Sequence, residues 1–274
     1  MYLFKIELKR AIFNKNMLIA LIIGIAIVLP HTIENFFNEI QYKNYIAQSG
    51  LTDGADLTSL YGRWFGMSQD FLCIMFYYIL PLIAVYPAAM SYYKDRKTGY
   101  VKNLYTRFSK NKYLIIKYIT TFISGGVVIA VPLITALSLT SLYAPARIPD
   151  SLVMNSIIEK NMWSELFFTH PLLYTLGYIL IDFIFGGLFA CFAMSVSEFV
   201  KHKFSVFISS FLVVAALSFV CVQLNLDYLN PQNFLSPAQF TAAANGYVIL
   251  AEALILFAAS FSLFQLGGRI NETY

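Results

Sequence analysis

A carboxylate stands near the middle of a long apolar run in this 274-residue chain. Asp182 is the eleventh residue of the run 172–197, roughly 16 Å deep at the helical rise of 1.5 Å per residue. At that depth in a bilayer a carboxylate costs several kcal/mol unless it is paired, hydrated or protonated. The position therefore predicts either a polar contact on a transport path or a structural hydrogen bond to a tyrosine, serine or threonine of a neighbouring helix. A second carboxylate, Glu252, lies nearer the outer end of its run.

The sequence lacks the motifs of the common enzyme classes. It has no Gly-x-x-x-x-Gly-Lys-Ser/Thr loop for phosphates, no His-Glu-x-x-His zinc pair and no Gly-x-Ser-x-Gly nucleophile elbow. Its histidines, His31, His170 and His202, fall at the ends of different apolar runs and are too far apart to form one site. We therefore expect a chain that is not an enzyme and binds neither a cofactor nor a metal itself.

Composition places the chain in a membrane. It is 58% hydrophobic and 12% charged, with mean hydropathy +0.65, whereas about a quarter of the residues in a soluble domain are charged. We predict an all-α integral membrane protein that forms a single transmembrane domain, 1–274. Its six transmembrane helices are expected at about 17–33, 71–93, 119–142, 172–197, 204–224 and 247–266.

Three local features qualify that layout. Pro81 and Pro87 lie inside the second span and are expected to bend it. The pair Gly125-Gly126 in the third span would permit close contact with another helix. We expect instead that the span merely tolerates these glycines and does not use them for packing. Aromatic residues in the loop 34–70, Trp64 among them, predict short helices lying at the outer membrane interface.

Basic residues fix the orientation. Eight of the 19 Lys and Arg residues lie in 92–118, and Asp95 is the one acid among them. With this block inside, the six spans place 15 basic residues in cytoplasmic segments and 4 outside, as the positive-inside rule requires. Both termini, residues 94–117 and the short loop 198–203 are then cytoplasmic. The loops 34–70, 143–170 and 225–246 are external. This excess of charge beside the spans also argues against nucleic-acid binding.

Residues 1–16 precede the first span and carry four basic side chains. Apolar residues share one helical face there, at spacings of four and three: Phe4, Leu8, Ala11 and Ile12. We predict a cytosolic amphipathic helix lying on the membrane surface, and the alternative is a solvated basic tail.

The loop after the second span opens with Asp95-Arg96-Lys97-Thr98-Gly99, followed by a helical stretch to Leu104. With the N-terminal helix and six spans, this layout resembles the membrane subunits of type-2 ABC exporters, whose loop commonly begins Glu-Arg-x-x-Gly-Thr. Asp95 replaces the glutamate here, and Tyr100 replaces the small residue after glycine. The outer segment 229–237, with two prolines, is similar to the family's re-entrant outer element.

The resemblance implies the partners. Such a permease pairs with a second copy or a related permease, in contact with membrane lipids, and binds separate ABC ATPase subunits that hold ATP and Mg. The loop after the second span and the N-terminal helix would dock on the ATPase. We predict docking and coupling by Asp95, Arg96, Gly99, Tyr100 and Lys102. Three other bases are expected at the lipid surface: Lys110, Lys112 and Lys117.

In that family, substrate passes between the two permeases along spans two and five. The residues predicted to line the path are Phe76, Tyr77, Asp182, Phe207 and Phe211. An aromatic path favours a bulky amphiphile such as a peptide, although ordinary packing explains the same residues. An ion-coupled secondary transporter, with Asp182 as coupling carboxylate, and a non-transporting immunity or sensor subunit are the alternatives. The lysine-rich composition is typical of a bacterium, and the expected location is its plasma membrane.

Overall fold

The computed structural model describes residues 2–49, 58–149, 161–239 and 241–270. In these ranges the chain forms α-helices, short 3-10 turns and connecting loops. The helices are α1 (Tyr2–Ile12), α2 (Lys15–Ser49), α3 (Leu60–Arg63), α4 (Phe71–Val85), α5 (Ala89–Lys97), α6 (Tyr100–Tyr105), α7 (Lys110–Thr140), α8 (Ser164–Thr169), α9 (Pro171–Val196), α10 (Lys203–Gln223), α11 (Pro231–Leu235) and α12 (Gly246–Ile270).

Six helical segments are long and apolar enough to cross a membrane. They are α2, the pair α4–α5, α7, α9, α10 and α12. The prediction of an all-α, multi-pass membrane protein with six spans is thereby confirmed. Helix α2, which forms the first span, is longer than the predicted span, because it continues past Pro30 to Ser49. Its polar extension carries a Glu39–Lys43 ion pair at 3.4 Å, a spacing that supports helix.

The second span is interrupted where its second proline falls. Helix α4 ends at Val85 and α5 begins at Ala89, so Pro87 lies in the break between them. A proline cannot donate the helical hydrogen bond and clashes with the preceding turn. Pro81, by contrast, remains inside α4. Helix α5 then carries the first three bases of the basic block, Lys94, Arg96 and Lys97.

Helices α7 and α9 form the centre of the bundle through two glycine pairs. A Cβ atom on Gly125 would lie 2.5 Å from the carbonyl oxygen of Gly186, and one on Gly186 would lie 2.8 Å from that of Gly125. The rings of Phe183 and Phe122 cover the neighbouring Gly126 and Gly187. The expectation that Gly125-Gly126 is merely tolerated was wrong, because the backbones meet where side chains are missing.

The segments that connect successive spans lie alternately at the two ends of the bundle. At one end, here called the inner end, α5 contacts α1 through an ion pair and contacts the segment 197–202 through an ion pair and a hydrogen bond. At the other, outer end, the peptide N–H of Leu60 donates to the carbonyl of Pro145, and Asn161 donates to that of Ala238. This grouping matches the predicted division between cytoplasmic and external segments.

The outer loops fold into the bundle more deeply than expected. Trp64 is fully buried and its indole N–H donates to the carbonyl of Leu133 at 3.1 Å. Short helices form here as predicted, at Leu60–Arg63 and Phe65–Met67, but Trp64 faces the protein interior, where its indole has a partner; its depth in the membrane stays a prediction. The segment that resembles a re-entrant element also returns inward. Phe234 of α11 is buried, with its ring 5.2 Å from that of Phe185 in α9.

Thiol labelling in intact cells tests the orientation. The native cysteines, all buried, are first replaced. Single cysteines at Ser49 and Asn245, exposed at the outer end, should then react with an impermeant thiol reagent. A cysteine at Ser109, exposed at the inner end, should react only after the cells are opened. The reverse pattern would invert the topology.

The glycine contact generates a second prediction. Gly186→Ala forces α7 and α9 apart and should destabilise the fold by about 1–3 kcal/mol, as overpacking does. Thermal unfolding of the purified protein in detergent measures the loss. Gly246→Ala is the matched control, because only the Met162 sulfur, at 3.8 Å, would lie near its Cβ. Equal unfolding temperatures for both variants would show that the contact is not close.

Candidate functional site

A buried carboxylate holds the N-terminal helix in place. Glu7 is fully buried on the face of α1 that also buries Leu3 and Ala11. One of its oxygens accepts a hydrogen bond from Lys117 Nζ at 2.9 Å and the other accepts from Arg10 Nη1 at 3.0 Å. Two cations are needed because an uncompensated buried charge costs several kcal/mol. The ion pair with Lys117 ties α1 to α7.

A second carboxylate completes this group. Arg10 Nη2 donates to both oxygens of Asp95, at 2.9 and 2.8 Å, and Lys117 Nζ lies 3.8 Å from Asp95 Oδ2. The guanidinium of Arg10 also lies 4.4 Å from the centre of the Tyr100 ring. We call Glu7, Arg10, Asp95 and Lys117 the inner charge cluster. Its two acids and two bases balance, and they join α1, α5 and α7.

The ionisation of Arg10 responds to this setting. Burial by itself lowers the pKa of the guanidinium, but the charges of Asp95 and Glu7 outweigh that effect, and the pKa lies above its ordinary value. Arg10 thus carries its charge at every physiological pH.

Arg96 points to another part of the fold. Its Nη1 lies 3.1 Å from Glu198 Oε2 and also donates to the carbonyl of Ser197. The hydroxyl of Tyr92 donates to the other oxygen of Glu198, which is buried. Gly267 of α12 packs directly against the Glu198 side chain, where any Cβ would collide. Neighbouring residues of α5 therefore hold α1 and α7 on one side and the α9–α10 connection on the other.

The predicted docking residues differ in what they offer to a partner. Asp95 is 9% exposed and Arg96 is partly buried, and both are engaged within the chain. Gly99 and Tyr100 are half-buried, and Lys102 is exposed. The surface that remains for a partner is therefore formed by the α5–α6 turn and the outward side of α6. Asp95 and Arg96 precede this surface and hold α5 to other segments of the chain through their ion pairs.

Gly99 sets the shape of that turn. Its φ is +75°, in the left-handed region that side chains disfavour, and no atom would lie within 4 Å of an added Cβ. A glycine can be required at a turn either by a positive φ or by a close approach of two backbones. The positive φ is present here. A close approach of two backbones, the other reason, is not.

Lys117 corrects one prediction and points to others that were missed. It is 3% exposed and paired with Glu7, so its assignment to the lipid surface was wrong; Lys112 is exposed as expected. Glu7 and Glu198 were not singled out from the sequence. A signal existed for Glu7, which stands four residues from both Leu3 and Ala11 on a face that is otherwise apolar.

Residues of the predicted path divide into two groups. Phe76, Tyr77 and Asp182 are buried between α4 and α9, inside the bundle. The hydroxyl of Tyr77 donates to Asp182 Oδ2 at 3.4 Å, and among the described residues Asp182 Oδ1 has no hydrogen-bond partner. The structural alternative foreseen for Asp182, a bond to a tyrosine of a neighbouring helix, is present.

The other two path residues lie on a different face. Phe207 and Phe211 of α10 are half-buried against α4, with ring centres 6.1 Å from Tyr86 and 5.4 Å from Tyr78. Tyr78 is 45% exposed, so this aromatic seam between α4 and α10 opens to the outside of the bundle. It is separate from the buried pair Tyr77–Asp182.

Comparison of the chain with protein-family models, curated proteins and solved structures finds no match. Three features of the described residues are candidates for function: the inner charge cluster, the α5–α6 turn and the aromatic seam.

A double substitution tests the pairing of Glu7 with Lys117. Glu7→Leu removes the hydrogen-bonded partner of the buried Lys117 ammonium and leaves it only Asp95, at 3.8 Å, so it should destabilise the fold by up to about 3–5 kcal/mol. Adding Lys117→Met removes the stranded charge and should recover much of the loss, since an apolar pair can replace a buried ion pair. Thermal unfolding in detergent measures both, with Lys112→Met as the exposed control. Additive losses in the double variant would show that the two side chains are independent.

Proposed function

We propose that the chain is the permease subunit of an ATP-driven ABC exporter of the type-2 class in a bacterial plasma membrane. It works as a pair with a second permease, and separate ATPase subunits bind ATP and Mg and power the transport. The observation that carries the proposal is the inner charge cluster, which makes the N-terminal helix and the α5–α6 turn one unit.

A coupling element has to be displaced by the ATPase at the surface and has to transmit that displacement to the spans. The α5–α6 turn meets these requirements, because Lys102 and Asn103 are exposed while Asp95 is bonded to Arg10. Arg10 and Lys117 continue the connection into α1 and α7. Displacement of the turn therefore moves several helices together, which a solvated loop could not do.

Arg96 extends the same unit to the fifth span. Its bond to Glu198 joins α5 to the connection between α9 and α10. Helices α4 and α10 form the aromatic seam, and both are reached from the turn: α4 through α5, and α10 through residues 197–202. A motion received at Gly99 can thus open or close the seam. The aromatic rings of the seam favour a bulky amphiphilic substrate, such as a peptide or a lipid-like compound.

Ion-coupled secondary transport is the second candidate, and one observation favours it. Asp182 is fully buried, and only one of its oxygens has a partner among the described residues. Such a carboxylate is a default functional site inside a membrane. The two candidates differ in their requirement for an ATPase, which the following experiment examines.

Two substitutions at Gly99 test the coupling role. Both enter open space, so steric contact is matched and the difference lies in φ. Asparagine tolerates left-handed backbone, whereas β-branched valine does not and pays roughly 1–2 kcal/mol or more. We expect Gly99→Val to lose the ATPase or to uncouple hydrolysis from transport, while Gly99→Asn behaves nearly as the parent chain.

The measurement is affinity purification of the tagged chain from its native cells, followed by ATP hydrolysis and transport assays. Failure of the parent chain to capture any P-loop ATPase would refute the exporter. If the ATPase is captured but both variants couple fully, the exporter stands and the coupling role of the turn is refuted. Equal amounts of folded membrane protein in each sample serve as the control.

A further inference from the structure

A cavity of about 370 Å³ opens at the inner end between the start of α2, the end of α5 and the start of α10. This lies within the roughly 300–1,000 Å³ typical of small-ligand sites. Four lysines line it: Lys15, Lys94, Lys97 and Lys203. We call it the lysine pocket. No acidic residue lines it, in contrast to the neutral inner charge cluster nearby.

These lysines are not neutralised within the described ranges. None of the four takes part in an ion pair there, whereas Arg10, Arg96 and Lys117 all do. The one charge contact found for them is of Lys97 Nζ with the Tyr93 ring, at 5.8 Å. Four like charges around one cavity repel one another, and an anion in the cavity would relieve that repulsion.

Backbone dipoles add to the positive potential. Lys15 and Lys203 are the first residues of α2 and α10, so two long helices begin at the pocket. Helix N-termini favour anions, especially phosphate. Asn14 caps α2, accepting from the peptide N–H of Met17 at 2.8 Å, which fixes the direction of that helix. Lys94 and Lys97 in the last turn of α5 offset the opposite dipole of that helix.

The position of the pocket points to the membrane as the source of the anion. Its lysines mark the inner ends of three membrane-spanning segments, which is the depth of the lipid headgroups. Apolar side chains stand just beyond them towards the bilayer: Leu18 is 60% exposed and Phe204 is 68% exposed. Met90 and Tyr93 give the pocket itself an apolar wall. A ligand with an anionic phosphate and acyl chains fits both surfaces.

We propose that the lysine pocket binds the phosphate of an anionic phospholipid from the inner leaflet. One lipid would then bridge α2, α5 and α10, next to the inner charge cluster and the α5–α6 turn. This site is distinct from the general attraction of basic loops to the membrane, because it needs these particular lysines. It does not depend on the proposed exporter function.

The test compares lipid binding by two triple variants of equal charge. Lys94→Gln, Lys97→Gln and Lys203→Gln together remove three pocket lysines, while Lys5→Gln, Lys9→Gln and Lys112→Gln remove three exposed lysines elsewhere. Dihexanoyl phosphatidylglycerol is titrated onto each delipidated protein in detergent, and the shift in unfolding temperature gives the affinity. We expect at least about tenfold weaker binding for the pocket variant only, because its three lysines line the cavity that would hold the phosphate and those of the control do not.

Two further probes identify the source of the phosphate. Dihexanoyl phosphatidylcholine has the same chains without net charge and should bind weakly. Glycerol 3-phosphate has the phosphate without chains and should also bind weakly. Equal binding of glycerol 3-phosphate and the lipid would overturn the membrane source and leave a site for soluble phosphates.

A substitution that mimics the ligand gives an independent test. Ser91→Asp places a carboxylate in the wall of the pocket; it should raise the unfolding temperature without lipid and remove the response to phosphatidylglycerol. Equal lipid responses in both triple variants would overturn the site. The site would also be overturned if the pocket variant bound lipid normally but no longer captured the ATPase. The pocket would then be a protein-docking surface.

Discussion

The contact of Gly125 with Gly186 is the constraint on which the rest of the bundle depends. It allows α7 and α9 to pack backbone to backbone, with each helix covering the other's second glycine by a phenylalanine. Both helices then present their remaining faces to other segments. Helix α7 contacts α1 and α2, while α9 contacts α4, α8, α10 and α12. Any side chain at the crossing would change the position of all these neighbours.

The same two helices anchor the inner end. Lys117 projects from α7 to Glu7, and Glu198 follows α9 and receives Arg96. Helix α5 contacts both anchors, Asp95 through Arg10 and Lys117 and Arg96 through Glu198. In a membrane protein, buried charges are expensive and persist where they have a partner or a function. Here they connect an exposed turn to the spans, which is the physical basis of the proposed coupling.

Charge at the inner end is divided into two environments. The inner charge cluster is balanced and internal, whereas the lysine pocket has four bases and opens to the surface. The first environment fixes one helix to another without a ligand. The second has no acidic residue in its lining and lies where three spans end, so it is suited to an anion from outside the chain, as proposed above.

The sequence by itself determined the class of protein, the number of spans and a bend near Pro87, though not that Pro81 stays within α4, and it singled out Gly99. These follow from local properties: hydropathy over about twenty residues, the missing N–H of proline and the backbone freedom of glycine. Only the tertiary structure decided which charges are paired. Lys117 resembles its neighbours in the basic block, and Trp64 resembles other aromatic loop residues, until α1 and the outer loops are packed against α7. Lys117 as a partner for Glu7, Arg10 for Asp95 and Tyr77 for Asp182 come from segments distant in the chain, so periodicity within one segment cannot identify them.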